Sequence, residues 1–166
     1  SANVELSAER VEQGGIVGVA ITGMVGETAP TVETDLGSVQ CTRSPSGWRA
    51  YIPAAYNASA GAHDITLTVN GEVLTKTLTV LPKDFGTAEV EAEPAPTEAA
   101  NTEFRNSIWP LYEQPAQEKL WSGGFVCPAE DYLVLLNFGQ IKITNGQQGS
   151  KSNSTKLYTI PGDPAR

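Results

Sequence analysis

The sequence predicts a mainly β chain: a β-sandwich, then a short helix, then a small second β unit. Three observations carry this. Short runs of β-branched and apolar residues alternate with polar ones and are separated by turn chemistry. Asn70-Gly71 sits between two such runs. Helical spacing appears in one place only, between Thr97 and Gln114.

Taken in order, Val4 and Leu6 alternate with polar neighbours. Gly14-Gly15 precedes Ile16 to Thr22, a β-branched run. Gly23 to Pro30 reads as a loop. Leu36 to Arg43 and Trp48 to Ile52 read as strands joined by Ser44-Pro45-Ser46-Gly47, where Pro followed by Gly suits a tight turn. Ile65, Leu67 and Val69 alternate with Thr66 and Thr68, and Leu74, Leu78 and Val80 resume after Asn70-Gly71. That dipeptide tolerates the positive φ angles of a type I′ turn. A two-residue loop places Leu67 opposite Leu74, and Lys76 interrupts the stripe opposite Ile65. About seven short strands in the first ~80 residues indicate an immunoglobulin-like β-sandwich over residues 1–82.

Residues 83–118 read as an extended acidic linker and a short helix. Glu, Ala and Pro dominate from Thr87 to Asn101. Thr97 and Asn101 are both candidate caps, and Phe104, Ile108 and Leu111 or Tyr112 recur at helical spacing. Pro110 is expected to kink or end this helix early. Residues 119–166 turn to β again, with strand candidates in Tyr132 to Gly139, Ile141 to Thr144 and Leu157 to Ile160. Asn145-Gly146 marks a turn, and Gly149 to Thr155 is expected to be an exposed loop. Those 48 residues bury too little to stand alone. They are expected to lean on the sandwich, to pair with another chain, or to open a longer domain. The start at Ser1, with neither Met nor a signal peptide, is what a mature or trimmed chain would show.

Composition bounds the function. The 166 residues carry 11 basic and 19 acidic side chains, a net charge of -8, which opposes phosphate and so excludes nucleic acid. The sequence has no 18-residue apolar stretch to span a membrane. One His, His63, cannot by itself build most hydrolytic metal sites or nucleophile–base pairs. The residues therefore point away from catalysis, and none is assigned a catalytic role.

Between Phe85 and Gly146 a sequence of features follows the sandwich. It runs from Lys83-Asp-Phe through an acidic stretch and a short helix with Ile108 to Leu120-Trp-Ser-Gly-Gly-Phe-Val-Cys-Pro. Asn137-Phe-Gly-Gln-Ile and Thr144-Asn-Gly come next. This order resembles the region entering the lysostaphin-type (LytM-like) zinc metallopeptidases of bacterial cell walls. In that family an immunoglobulin-like module often precedes Trp-x-Gly-x-Phe-x-x-Pro, a Phe-Gly and an Asn-Gly. The first zinc-ligand motif, His-x-Gly-x-Asp, follows. The resemblance implies an extracellular or cell-envelope protein with peptidoglycan or another envelope protein as partner. It also implies zinc held by two His and one Asp, with a water in the open position. This chain departs at that point. Thr155 and Thr159 stand at the His and Asp positions, and a neutral hydroxyl is a poor zinc ligand. No zinc or other cofactor is expected here, and the family's later His-x-His would lie beyond Arg166. The reading is a non-catalytic relative that binds or positions something at the cell wall. The alternatives are the leading part of an active zinc endopeptidase, and an adhesion or scaffold module that recruits partners at its sheet edges.

Several other residues invite comment. His63 lies in Gly61-Ala-His-Asp-Ile-Thr-Leu, which resembles the Gly-x-Tyr-x-Leu-x-Val of immunoglobulin-like modules. There the Tyr anchors a corner through its hydroxyl, so His63 is expected to bond nearby backbone. Trp48, Trp109 and Trp121 fit core and interface packing better than a sugar platform, with Trp48 in the sandwich core. Cys41 and Cys127 are candidates for a disulfide or for two buried thiols. Glu89, Glu91 and Glu93 fit a solvated edge better than a calcium site. Asp163, beside Pro164, reads as a turn residue. Asn57-Ala-Ser and Asn153-Ser-Thr match the glycosylation pattern, which the resemblance to a bacterial family implies is a coincidence. The short second region is a candidate for oligomerisation.

Overall fold

The computed structural model describes every residue except Gln117 and Arg166. The chain divides into two compact units, Ser1–Asp84 and Phe85–Arg166. The division falls two residues after the expected end of the sandwich.

In the first unit, β1 (Asn3–Leu6), β3 (Ile16–Thr22), β6 (Gly47–Pro53) and β5 (Thr42–Ser44) form one sheet, in the order β1-β3-β6-β5. The other sheet has the order β2-β8-β7-β4, from β2 (Arg10–Glu12), β8 (Glu72–Leu81), β7 (Gly61–Val69) and β4 (Thr31–Glu33). The opening strand is thus split. Its first part, β1, pairs antiparallel with β3, and its second part, β2, runs parallel to β8. Two four-stranded sheets in this order form an immunoglobulin-like sandwich.

Alternation explains the core. Val17, Val19 and Ile21 of β3 point inward and pair with Ile52, Ala50 and Trp48 of β6. Ile65, Leu67 and Val69 of β7, with Leu78 of β8 and Val32 of β4, face them from the second sheet. The Asn70-Gly71 turn forms as expected, with φ of 52° and 81°, and it sets Leu67 opposite Leu74 and Ile65 opposite Lys76. The stretch Leu36 to Cys41 corrects the expectation of a strand there. It forms no ladder, and pairing starts only at Thr42. Leu36, Val39 and Cys41 still pack against the core, so their apolar spacing serves a connection rather than a strand.

The second unit holds two small sheets. β9 (Thr87–Glu89) runs parallel to β11 (Ile141–Thr144), which pairs antiparallel with β12 (Gln147–Lys151). β10 (Leu133–Leu136) pairs with β13 (Lys156–Tyr158). Two expectations are corrected here. Thr87–Glu89 is an edge strand, because its partner lies about fifty residues away in the sequence and leaves no local mark. Gly149 to Lys151 belongs to β12, paired through the Asn145-Gly146 turn, and Ser152 is buried, with its hydroxyl donating to the Ser154 carbonyl at 2.7 Å.

The helical segment begins at Thr97, whose hydroxyl accepts from the Ala100 N–H at 3.2 Å. It comprises α1 (Glu98–Glu103), a π-helical turn (Phe104–Ile108) and α2 (Trp109–Tyr112). Pro110 does not end it early. Proline lacks an N–H and crowds the carbonyl four residues back. The wider π turn, with the Trp109 N–H donating to the Phe104 carbonyl, absorbs that and lets the helix run to Tyr112.

Candidate functional site

The second unit carries the candidate surface, and its burial is unlike that of the sandwich. Among the described residues its only buried hydrophobic side chain is Leu136. Leu133, Val134 and Leu135 follow one another along β10 and all three are exposed, at 65%, 45% and 49%. Successive strand residues point to opposite faces, so Leu133 and Val134 leave exposed apolar side chains on both faces of the β10–β13 pair, and the pairing is irregular between Val134 and the buried Leu136. Leu133 opposes Tyr158, itself half exposed, and Val134 opposes Leu157 on the other face.

The helix is equally bare. None of its residues is buried. Phe104, Trp109 and Tyr112 form a row with ring centroids 6.3 and 6.1 Å apart. The five-residue π step sets Phe104 beside Trp109. Ile108 and Leu111 add exposed aliphatic surface. Further on, the Trp121 ring lies 5.8 Å from Phe125 and takes the Lys119 ammonium at 5.1 Å from its centroid. Trp48 is 9% exposed in the sandwich core, with the Arg43 guanidinium 4.7 Å from its ring centroid. The three tryptophans therefore divide: Trp48 packs in a core, while Trp109 and Trp121 are surface rings.

A groove of about 1170 Å³ lies within the same unit. One wall is the stretch from Glu89 to Pro94, and the other includes Leu135, Leu157 and Lys156. Glu93 bonds to the Lys156 ammonium, which leaves Glu89 and Glu91 on the acidic wall. Ser150, Ser152 and Asn153 add hydroxyl and amide groups. The mixture suits a polar, hydrogen-bonding ligand with some apolar area.

Thr155 also lines this groove, at the residue before β13, and Thr159 follows that strand. The Thr155 hydroxyl accepts from the Phe138 N–H at 3.3 Å. Along an extended chain the two threonines stand about 10 Å or more apart. Two short hydroxyls at that distance cannot share one ion. Among the described residues no three His, Cys, Asp or Glu side chains gather to hold a metal. The residues present do not fit the zinc of the family that the motif order resembles. Glu89, Glu91 and Glu93 do not converge into a calcium site either.

Cys41 and Cys127 are free thiols, each half-buried. Burial pushes the Cys41 thiol up, and the Tyr132 hydroxyl is held above its ordinary range by its hydrogen bond to Cys127. Asp163 donates its N–H to the Ile160 carbonyl at 3.1 Å, as a turn residue does. Asn57 lies in the turn between β6 and β7, and Asn153 is exposed. His63 is buried in the sandwich, and its Nε2 meets the Ser59 carbonyl at 2.7 Å, the backbone bond expected for that position. Its second partner, Asp35, was not legible in the sequence: nothing local links residues 28 apart.

No helix among the described residues is long and apolar enough to cross a membrane. No protein-family model matches the chain, and no curated protein sequence matches it. Among solved structures, a chimeric titin Z1Z2 functionalised with a KLER exogenous peptide from decorin is similar. It shares 20% identity over 50% of this chain and 97% of that one, with a TM-score of 0.30. A score that low carries no argument. The immunoglobulin-like character of the first unit rests on its own strand order.

Proposed function

We propose that this chain is a non-catalytic binding and positioning protein of the bacterial cell envelope, with an immunoglobulin-like scaffold and a second unit that carries the contact surface. The observation that supports this most is the uncovered apolar surface of the second unit. An isolated two-stranded pair is marginal in water, and exposed apolar patches mark places where another molecule sits. Leu133, Leu135 and Tyr158 on the β10–β13 pair, with Trp109, Tyr112 and Trp121, supply that surface. Aromatic rings of this kind are the usual anchors of a contact and also stack on saccharides.

The cell-wall assignment draws on the order of motifs from Leu120 to Gly146 and on the groove of hydroxyl, amide and carboxylate groups beside them. A peptidoglycan strand offers matching sugar hydroxyls and short peptides. The non-catalytic part draws on Thr155 and Thr159, which supply neither charge nor convergence.

Co-sedimentation with purified peptidoglycan sacculi tests the reading. The full chain is expected in the pellet, and the Trp109→Ala, Trp121→Ala double variant is expected to bind about tenfold more weakly, as loss of aromatic anchors implies. Both rings are exposed, and neither belongs to the core of the sandwich. A chain that stays in the supernatant at every concentration refutes the proposal.

A further inference from the structure

His63 is the buried titratable side chain of the sandwich, with 9% of its surface exposed. It stands near the start of β7, opposite Leu78 of β8. Both ring nitrogens meet oxygen. Nε2 lies 2.7 Å from the Ser59 carbonyl, in the connection from β6 to β7. Nδ1 lies 2.8 Å from Asp35 Oδ1, in the connection from β4 to β5. A carbonyl and a carboxylate only accept, so both nitrogens must carry hydrogen for both bonds to exist. Neutral imidazole has one N–H. It would turn a nitrogen lone pair toward an oxygen lone pair at one of these two places.

We propose that His63 is a proton-operated latch which, as imidazolium, ties the β4–β5 and β6–β7 connections together at one end of the sandwich. Asp35 is 71% exposed at its side chain, so it can turn to water when the proton leaves. The Ser59 bond then persists and the Asp35 bond is released. The β6–β7 connection keeps a second tie, since Gln13 Nε2 donates to the Ala58 carbonyl at 2.7 Å. Opening is therefore confined to the Asp35 side.

The surrounding charges agree with this. The charge that acts on the ring is Asp35. Lys76 of β8 is the next residue beyond Leu78 on the same face, opposite Ile65. Asp64 and Glu33 fall on the opposite face of their strands and are exposed. The Ser59 carbonyl and then Asp35 hold the imidazole above its ordinary value of 6.5, against burial, which pulls the other way. A folded value above the unfolded one means that the latch stabilises fully below about pH 6.5. That stability is lost as pH rises through the folded midpoint.

The chain has one histidine, so its C2–H proton gives one resonance to titrate in the full-length protein. The expected midpoint lies above 6.5 and falls when Asp35→Asn removes the carboxylate. Thermal melts should show the wild type ahead of Asp35→Asn by on the order of 4 °C at pH 5.5, a gap that closes by pH 9. A wild-type midpoint at or below 6.5, a midpoint that Asp35→Asn leaves in place, or a gap equal at both pH values overturns the latch.

Discussion

Replacing Leu67 by Ala is expected to remove about 2–5 kcal/mol from the stability of the first unit, while Leu74→Ala costs less than about 1 kcal/mol. The two residues oppose each other across the β7–β8 ladder. Register alone would treat them alike. Burial separates them. Leu67 is fully buried among Val32, Ile65 and Val69, whereas Leu74 is 37% exposed near the turn, where β8 runs past the core. Truncating Leu67 loses its transfer free energy and leaves a cavity that rigid strands on both sides cannot fill. Truncating Leu74 leaves a space that water can enter. For a unit of this size the first change lowers the melting temperature by well over about 8 °C. Chemical denaturation followed by circular dichroism measures both. Equal costs would mean that the inward face of β7 has been wrongly assigned.

Gly47→Ala is expected to cost about 3 kcal/mol or more. Gly47 has φ of +147°, and a Cβ there would lie 2.2 Å from the Ile21 carbonyl oxygen and 3.3 Å from the Thr22 Cα. Both contacts are backbone, so no side-chain rotation relieves them. β3 would have to move, and β3 carries Val17, Val19 and Ile21 into the core. Gly71→Ala is the control. It too has positive φ, at +81°, but nothing lies within 4 Å of the added carbon. It should cost only about 1 kcal/mol, the conformational part alone. If the two substitutions cost the same, the close approach of β6 to β3 at Gly47 is not real.

Much of the sandwich was legible because its signals are local. Asn70-Gly71 specified both the turn and the register, and alternation in Ile16–Thr22 and Ile65–Val69 specified which side chains point inward. What stayed hidden depends on distant partners. β2 and β9 are three residues each and run parallel to strands far along the chain, so neither has a pattern of its own. Leu36 to Cys41 misled for the opposite reason, since apolar spacing there reflects packing without pairing. The helix cap at Thr97 could be read as one of two choices, but the π turn that accommodates Pro110 could not.

The candidate surface was only half legible. From the sequence, the region from Lys119 was expected to bury too little to stand alone, and the second compact unit starts earlier, at Phe85. Which side chains would be left bare depends on strand pairing, and Leu133 to Leu135 read simply as an apolar strand. The positions of Thr155 and Thr159 followed from the motif order, and the structure adds the Phe138 N–H that occupies the first of them. His63 could be matched to a backbone partner, but its carboxylate partner arrives from a connection 28 residues earlier.

Binding without hydrolysis is decided by giving the zinc-dialysed, desalted chain purified sacculi and reading soluble muropeptides by chromatography. The expected result is protein in the pellet and no muropeptide above the protein-free control. Muropeptide release that a chelator abolishes would show a working metal centre, and the non-catalytic reading of Thr155 and Thr159 would be wrong.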